Sequence, residues 1–220
     1  MSPLYTWLLV LGLVTLGGVS SVWFYRVRRY MILRMKQVAV ALENWLRPRD
    51  KLYTYLGYLV GFKAEYTSPQ LRGVTKAWAL YTQPPRHVLL YLPVIRLLGA
   101  RERLEVTLRL ASMRVDGEVH LYAPWDRATR REVSRDTAPG GYRVEEAILG
   151  GRRYLVLYRG GLRAVEEAKR VAEAVSAAGA RVLRVTIHPR LRALHVAIEP
   201  TGRLDEVLRE IGGAVPRLSG

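Results

Sequence analysis

Hydrophobic and polar positions change their spacing several times along the chain, and each change marks an element. From Leu4 to Tyr25 no charged residue occurs. About 22 residues at 1.5 Å rise span roughly 33 Å, the thickness of a bilayer core. This predicts a transmembrane helix over residues 1–25. No positive residue precedes the apolar run and no convincing small-x-small cleavage site follows it, which separates it from a secretory signal peptide. Beyond it, Val27, Met31, Met35, Val38, Leu42 and Trp45 recur in steps of three and four. That spacing predicts an amphipathic stalk helix over 26–48, ended by Pro48.

Downstream the spacing alternates between strand and helix. Leu59 to Tyr66 and Val74 to Tyr81 read as strands. The run from Pro85 to Leu98 reads as a short apolar helix that Pro93 should kink or break. Leu104, Val106, Leu108 and Leu110 alternate with Glu105, Thr107 and Arg109, the pattern of a half-buried strand. Asp116 and Gly117 predict a hairpin turn returning through Val119, Leu121 and Ala123, and Asp126 predicts the cap of a brief helix. A turn-rich stretch, Asp136 to Gly141, suggests a boundary between a first module at 49–135 and a second at 136–220. In the second, Tyr142 to Leu149 and Arg152 to Tyr158 flank Gly150 and Gly151 as a hairpin. Leu162 to Ala178 carries an apolar helix face with Glu166 and Arg170 paired outside. Arg181 to His188 and Leu194 to Ile198 form a last hairpin around Pro189 and Arg190, and a closing helix carries Leu204, Val207, Leu208 and Ile211. Antiparallel hairpins with packed helices mean an α+β domain.

Charge decides where such a domain belongs. The formal net charge is +16, which calls for anionic partners, lipid head groups or nucleic acid. Arg26, Arg28, Arg29, Arg34 and Lys36 follow the apolar run at once, which places the C-terminal side in the cytoplasm and gives these residues a membrane-surface role. Arg127, Arg130, Arg131 and Arg135, then Arg152 and Arg153, then Arg190 and Arg192 offer guanidinium contacts to phosphate, including an rRNA backbone. No aromatic RNA-binding strand is present, so base-specific reading is not expected. Val88, Leu89, Leu90, Leu92, Ile95, Leu97 and Leu98 lie in a run too short to span a bilayer. They are read as core, with contact to lipid or a membrane partner as the other reading. Asn44 is the only asparagine and arginine dominates the charge, a bias consistent with a heat-adapted organism.

Chemistry is sparse. With no cysteine, thiolate metal sites, thiol nucleophiles and redox switching are excluded. None of the common nucleophile, phosphate-loop, zinc-protease or dinucleotide motifs occurs. His188 and His195 lie on the two strands of one predicted hairpin, yet no third ligand is in view, so cross-strand structural histidines are expected. Glu145 and Glu146 point to opposite faces of a strand. Glu166 and Glu167 are read as solvated charge. The chain is expected to be non-enzymatic and to use no cofactor or metal.

The order of elements resembles the calumin family, coiled-coil-containing membrane proteins of the PAT complex beside the protein-conducting channel. The segments that carry the resemblance are Leu59 to Gly61, Val74 to Tyr81, Val88 to Leu98, the hairpin pattern of Leu104 to Leu110 and Glu118 to Ala123, then Ala147 to Leu149, Leu162 to Ala178, Val182 to Ile198, and Leu204 to Ile211. This sequence carries neither the acidic luminal region of that family nor its long charged C-terminal coiled coil, the part that reaches the ribosome. The resemblance implies a short, archaeal-type relative. It would be an accessory factor at the membrane, associated with the translocon and ribosome, that assists insertion of multipass membrane proteins. Its partners would be the lipid bilayer, channel or insertase subunits, and rRNA. The alternative is a structural or regulatory subunit of another membrane complex.

Overall fold

The computed structural model describes residues 3–138 and 140–219. The predicted membrane segment and stalk form one unbroken helix, α1 (Pro3–Leu46), of 44 residues. At 1.5 Å per residue it is roughly 66 Å long. Its most apolar window has a mean hydropathy of 1.8 and no buried residue, which makes it long and apolar enough to cross a membrane. The second half is different: Met31, Val38, Ala41, Leu42 and Leu46 are buried. The helix stops where Arg47 takes a left-handed conformation ahead of Pro48. The Leu46 carbonyl then accepts the Gln70 amide at 2.8 Å.

Nine antiparallel strands make one sheet, in the order β1-β2-β3-β4-β9-β8-β5-β7-β6. They are β1 (Asp50–Tyr55), β2 (Gly61–Thr67), β3 (Val74–Thr82), β4 (Arg103–Leu110), β5 (Glu118–Tyr122), β6 (Arg143–Leu149), β7 (Arg152–Arg159), β8 (Arg181–His188) and β9 (Ala193–Glu199). A Leu89–Tyr91 turn of 3-10 helix leads into α2 (Leu92–Leu98), and α3 (Arg127–Asp136), α4 (Leu162–Ala177) and α5 (Leu204–Ser219) complete the chain. α+β architecture follows directly.

Several expectations change. β4 and β5 do not form a hairpin: β4 pairs with β3 and β9, while β5 pairs with β7 and β8. The Asp116–Gly117 turn instead starts a strand three places away, and the two places between are filled later by the β8–β9 hairpin. That hairpin joins the two half-sheets, so the stretch near residue 136 does not separate two cores, and one hydrophobic cluster runs from Val38 to Leu218. Pro93 does not kink a helix, because it stands in the first turn of α2, where its missing N–H costs nothing. β1 was not signalled, since it is an edge strand with only Tyr53 half-buried. Glu166 is exposed, and its neighbour Glu167 is buried and holds Arg170 at 2.7 Å and Arg217 at 3.0 Å. The apolar face through Val165, Ala168, Val171, Ala172 and Val175 is buried as expected, and only the carboxylate that pairs with Arg170 differs.

One face of the sheet is apolar: Phe62, Ala79, Val106, Val196, Val185, Leu121 and Val156 all lie in the core. The second half of α1 packs beside α5, which packs beside α4, and α4 lies on β8 and β5. Gly212 of α5 allows the close approach to α1, since a Cβ there would come within 3.0 Å of the Trp45 indole nitrogen. Strand β2 runs alongside α1. Buried Gln83, after β3, donates from Nε2 to the carbonyls of Met31 (3.4 Å) and Leu59 (3.3 Å), while Gln70, past the other end of β2, meets Leu46.

Candidate membrane-side surface and polar face of the sheet

Two surfaces carry chemistry. The first is the end of the sheet beside the apolar half of α1. There the Trp23 indole N–H donates to the Arg86 carbonyl at 3.0 Å, and His87 sits edge-on to both Phe24 (5.8 Å) and Tyr58 (5.7 Å). Burial among these rings holds the His87 pKa below the usual histidine value. The Arg28 guanidinium lies 5.8 Å over the Tyr58 ring, within cation–π range. A groove of about 510 Å³ separates Trp23, Val27 and Tyr30 from Leu92, Ile95 and Arg96. Ile95 is buried and Leu89 and Leu92 are half-buried, whereas Val88, Leu90, Tyr91, Val94 and Leu97 are exposed. The side chain of Leu98 lies outside the described residues. The core reading therefore holds for Ile95, and Leu90 and Leu97 face outward.

The five basic residues after the apolar run do not act alike. Arg26, Arg29 and Lys36 are exposed and Arg28 is half-buried. Arg34 turns inward. It bonds Glu102 at 3.1 Å and donates to the carbonyls of Pro200 (3.2 Å) and Thr201 (3.3 Å). It clamps α1 to the domain instead of facing the membrane surface.

The second surface is the sheet face opposite α4 and α5, where α3 lies over a cluster of charge. In one row across the sheet stand Thr107, His195, Thr186 and His120, on four adjacent strands. Thr107 Oγ1 meets His195 Nδ1 at 2.9 Å, and Thr186 Oγ1 meets His120 Nδ1 at 3.2 Å. Buried Arg184 donates from Nε to Thr186 Oγ1 (2.8 Å) and from Nη2 to Asp136 (2.6 Å), and its Nη2 stands 3.2 Å from His120 Nδ1. Arg103 reaches Glu105 (2.6 Å), Asp126 (3.3 Å) and Glu132 (2.8 Å). Glu118 lies 3.2 Å from His120 and 3.3 Å from His188.

Burial first, then the cations Arg184 and Arg103, depress the His195 pKa to about 3. Burial and Arg184 lower that of His120 as well, against the opposing pull of Glu118. Glu105 is pushed up by burial despite Arg103. The cluster thus favours neutral rings between fixed ion pairs. Its carboxylates are spent on arginines, and its ion pairs tie α3 to β4 and β8. Among the described residues no group of three or more His, Asp or Glu is placed to hold a metal ion. His188 and His195 share a face but have separate partners, Glu118 for one and Thr107 with Glu105 for the other.

The remaining arginines are exposed but dispersed. Arg127, Arg130, Arg131 and Arg135 lie on α3. Arg152 and Arg153 open β7, with Arg153 beside Glu146 at 3.6 Å. Arg190 and Arg192 sit in the β8–β9 turn, where Arg192 donates to the Ala111 carbonyl at 2.9 Å. They lie at the opposite end of β8 from Arg181, roughly 23 Å along an eight-residue strand. Sequence reasoning missed Arg34, Arg103, Arg184 and Gln83 as fixed points. The signal for Arg184 was available: a lone arginine within the apolar run of β8.

No protein-family model matches the chain, and no curated protein matches it in sequence.

Proposed function

We propose that this chain is a membrane-anchored accessory factor of membrane-protein biogenesis, which works by placement rather than by catalysis. The observation that carries this reading is α1: one helix has a bare apolar half and a second half buried in the core of a folded basic domain. A helix that spans a bilayer and continues into a domain sets that domain's height and heading, which is what a factor acting beside a channel needs. The arginines at 26, 28 and 29 favour the cytoplasmic side for the domain under the positive-inside rule. In this position the exposed arginines of α3, β7 and the β8–β9 turn meet lipid phosphate or the rRNA backbone, and the apolar surface around Leu90 and Leu97 meets lipid or a partner's helices. The resemblance of the element order to the calumin family, although β4 and β5 form no hairpin, is what suggests channel or insertase subunits and the ribosome as partners.

One observation favours a second reading, a structural or regulatory subunit of another membrane complex with no nucleic-acid contact. The arginines named above are spread over a helix, a strand start and a distant turn rather than gathered on one face. Gentle solubilisation from native membranes and identification of co-purifying proteins at low and high salt separates the two. Channel or insertase subunits, with ribosomes lost at high salt, support the biogenesis reading. A different membrane complex retained at high salt supports the second and refutes the first.

A further inference from the structure

We infer that the elbow formed by residues 86–98 and the β1–β2 loop make a second membrane contact, seated in the headgroup layer beside α1. The inference rests on α1 spanning the bilayer. Trp23 lies about 19 residues after Leu4, roughly 28 Å along the helix, so it marks the far boundary of an apolar core of about 30 Å. The Trp23 indole is bonded to the Arg86 carbonyl, which fixes the start of the elbow at that boundary. Leu92 and Ile95 of the elbow then face Val27 and Tyr30 across one shared groove, so the elbow stays level with the turns of α1 that leave the apolar core.

What this segment turns outward suits lipid. Leu90 is 79% exposed and Leu97 87%, with Val88, Tyr91 and Val94 around them and Tyr58 on the neighbouring loop, also exposed. Apolar and aromatic side chains gathered at one place on a surface mark an interaction site. At the depth of a bilayer interface, aliphatic, tyrosine and arginine side chains together are the composition that partitions there. Exposed Arg26, Arg29 and Arg96 stand beside them for anionic headgroups. The occupant is therefore the bilayer itself, selected by the chain's own helix.

Because the chain has no cysteine, single-cysteine variants report one position each. Leu90→Cys and Leu97→Cys replace outward residues, so the fold should tolerate both. Full-length protein carrying an environment-sensitive fluorophore at each would be reconstituted alone in vesicles of equal parts phosphatidylcholine and phosphatidylglycerol, with lipids bearing spin-label quenchers at shallow or deep positions. Val14→Cys reports the middle of α1, and Ile148→Cys, on edge strand β6, reports the aqueous domain. The shallow quencher should dim the Leu90 and Leu97 labels severalfold more than the Ile148 label, and the deep quencher should dim the Val14 label most. If the Leu90 and Leu97 labels behave like Ile148 while Val14 is quenched, the helix spans and the elbow contact is wrong, leaving that face to a protein partner. If Val14 is unquenched too, the spanning reading fails, and the inference with it.

Discussion

Acid should loosen the domain, and His195 sets most of the scale. Its half-buried ring lies between Thr107 and Glu105, where desolvation and the charges of Arg184 and Arg103 hold its pKa near 3, against 6.5 for a free side chain. A histidine whose pKa is lower in the folded than in the unfolded state leaves the unfolded chain binding more protons. Stability is therefore full above about pH 6.5 and drains away as pH falls toward the folded value. Each unit in that window costs about 1.4 kcal/mol per ring. Between about pH 7 and pH 5 the loss from His195 comes to about 2 kcal/mol, a figure set by the unfolded pKa because the folded ring stays neutral throughout. His120 adds loss of the same sign. Glu105, whose pKa is raised, returns some stability only where it takes up its own proton, above the ordinary carboxylate value of 4.5. The assay is guanidinium unfolding of the full chain in mild detergent across this pH range, followed by tryptophan fluorescence. The midpoint should fall on acidification with an unchanged slope, and His195→Gln should remove about 2 kcal/mol of the pH dependence. A stability that is flat from neutral to about pH 5, or a His195→Gln variant that keeps the full dependence, would refute the assignment of this ring as a neutral group in the folded domain.

Three further outcomes test the architecture. Leu42→Ala hollows a fully buried position between α1 and the rest of the core. It should lower domain stability by about 2–5 kcal/mol while leaving the chain resistant to alkaline extraction from membranes. At Gly61, φ is +152° and a Cβ would lie 1.9 Å from the Tyr81 carbonyl oxygen. Gly61→Ala should therefore break the start of the β2–β3 ladder, at a cost on the order of 3 kcal/mol or more, read from the shift in thermal midpoint. Asp126 caps α3 by accepting the Thr129 amide at 3.1 Å. Asp126→Ala should cost about 1 kcal/mol and accelerate amide exchange in α3 well before it does so in β8.

Much of the helix and hairpin content was legible because local spacing decides it. Residues 4–25 lack charge, and the β6–β7 and β8–β9 hairpins join strands through short turns, so neighbours in sequence are neighbours in space. The β4–β5 connection was not legible. Asp116–Gly117 has turn chemistry, but whether the returning strand pairs with the one before it depends on what later fills the space between, here the β8–β9 hairpin. The alternation of β4 was legible as a half-buried strand, and its burial follows that pattern. What the alternation does not show is what holds α3 there, since α3 buries only Thr129 and Val133. Its hold on the sheet comes from ion pairs to Arg103 and Arg184, which hydrophobic periodicity does not register.

The unbroken helix has a mechanical consequence. A flexible linker of twenty residues would let a tethered domain wander over roughly 25 Å, so its basic surfaces would face the membrane, a ribosome or bulk water at random. Here α1 enters the core through Met31, Val38, Leu42 and Leu46, is pinned by Arg34 to Glu102 and by Gln83 to the Met31 carbonyl, and packs along α5. Rotating the domain about the helix would require pulling those buried side chains into water, at about 1.5–3 kcal/mol for each large one. The proposed anchor thus fixes azimuth as well as distance. Every tilt of the helix in the bilayer would be passed to the sheet, and an elbow in the headgroup layer would limit that tilt by giving the domain a second point of support.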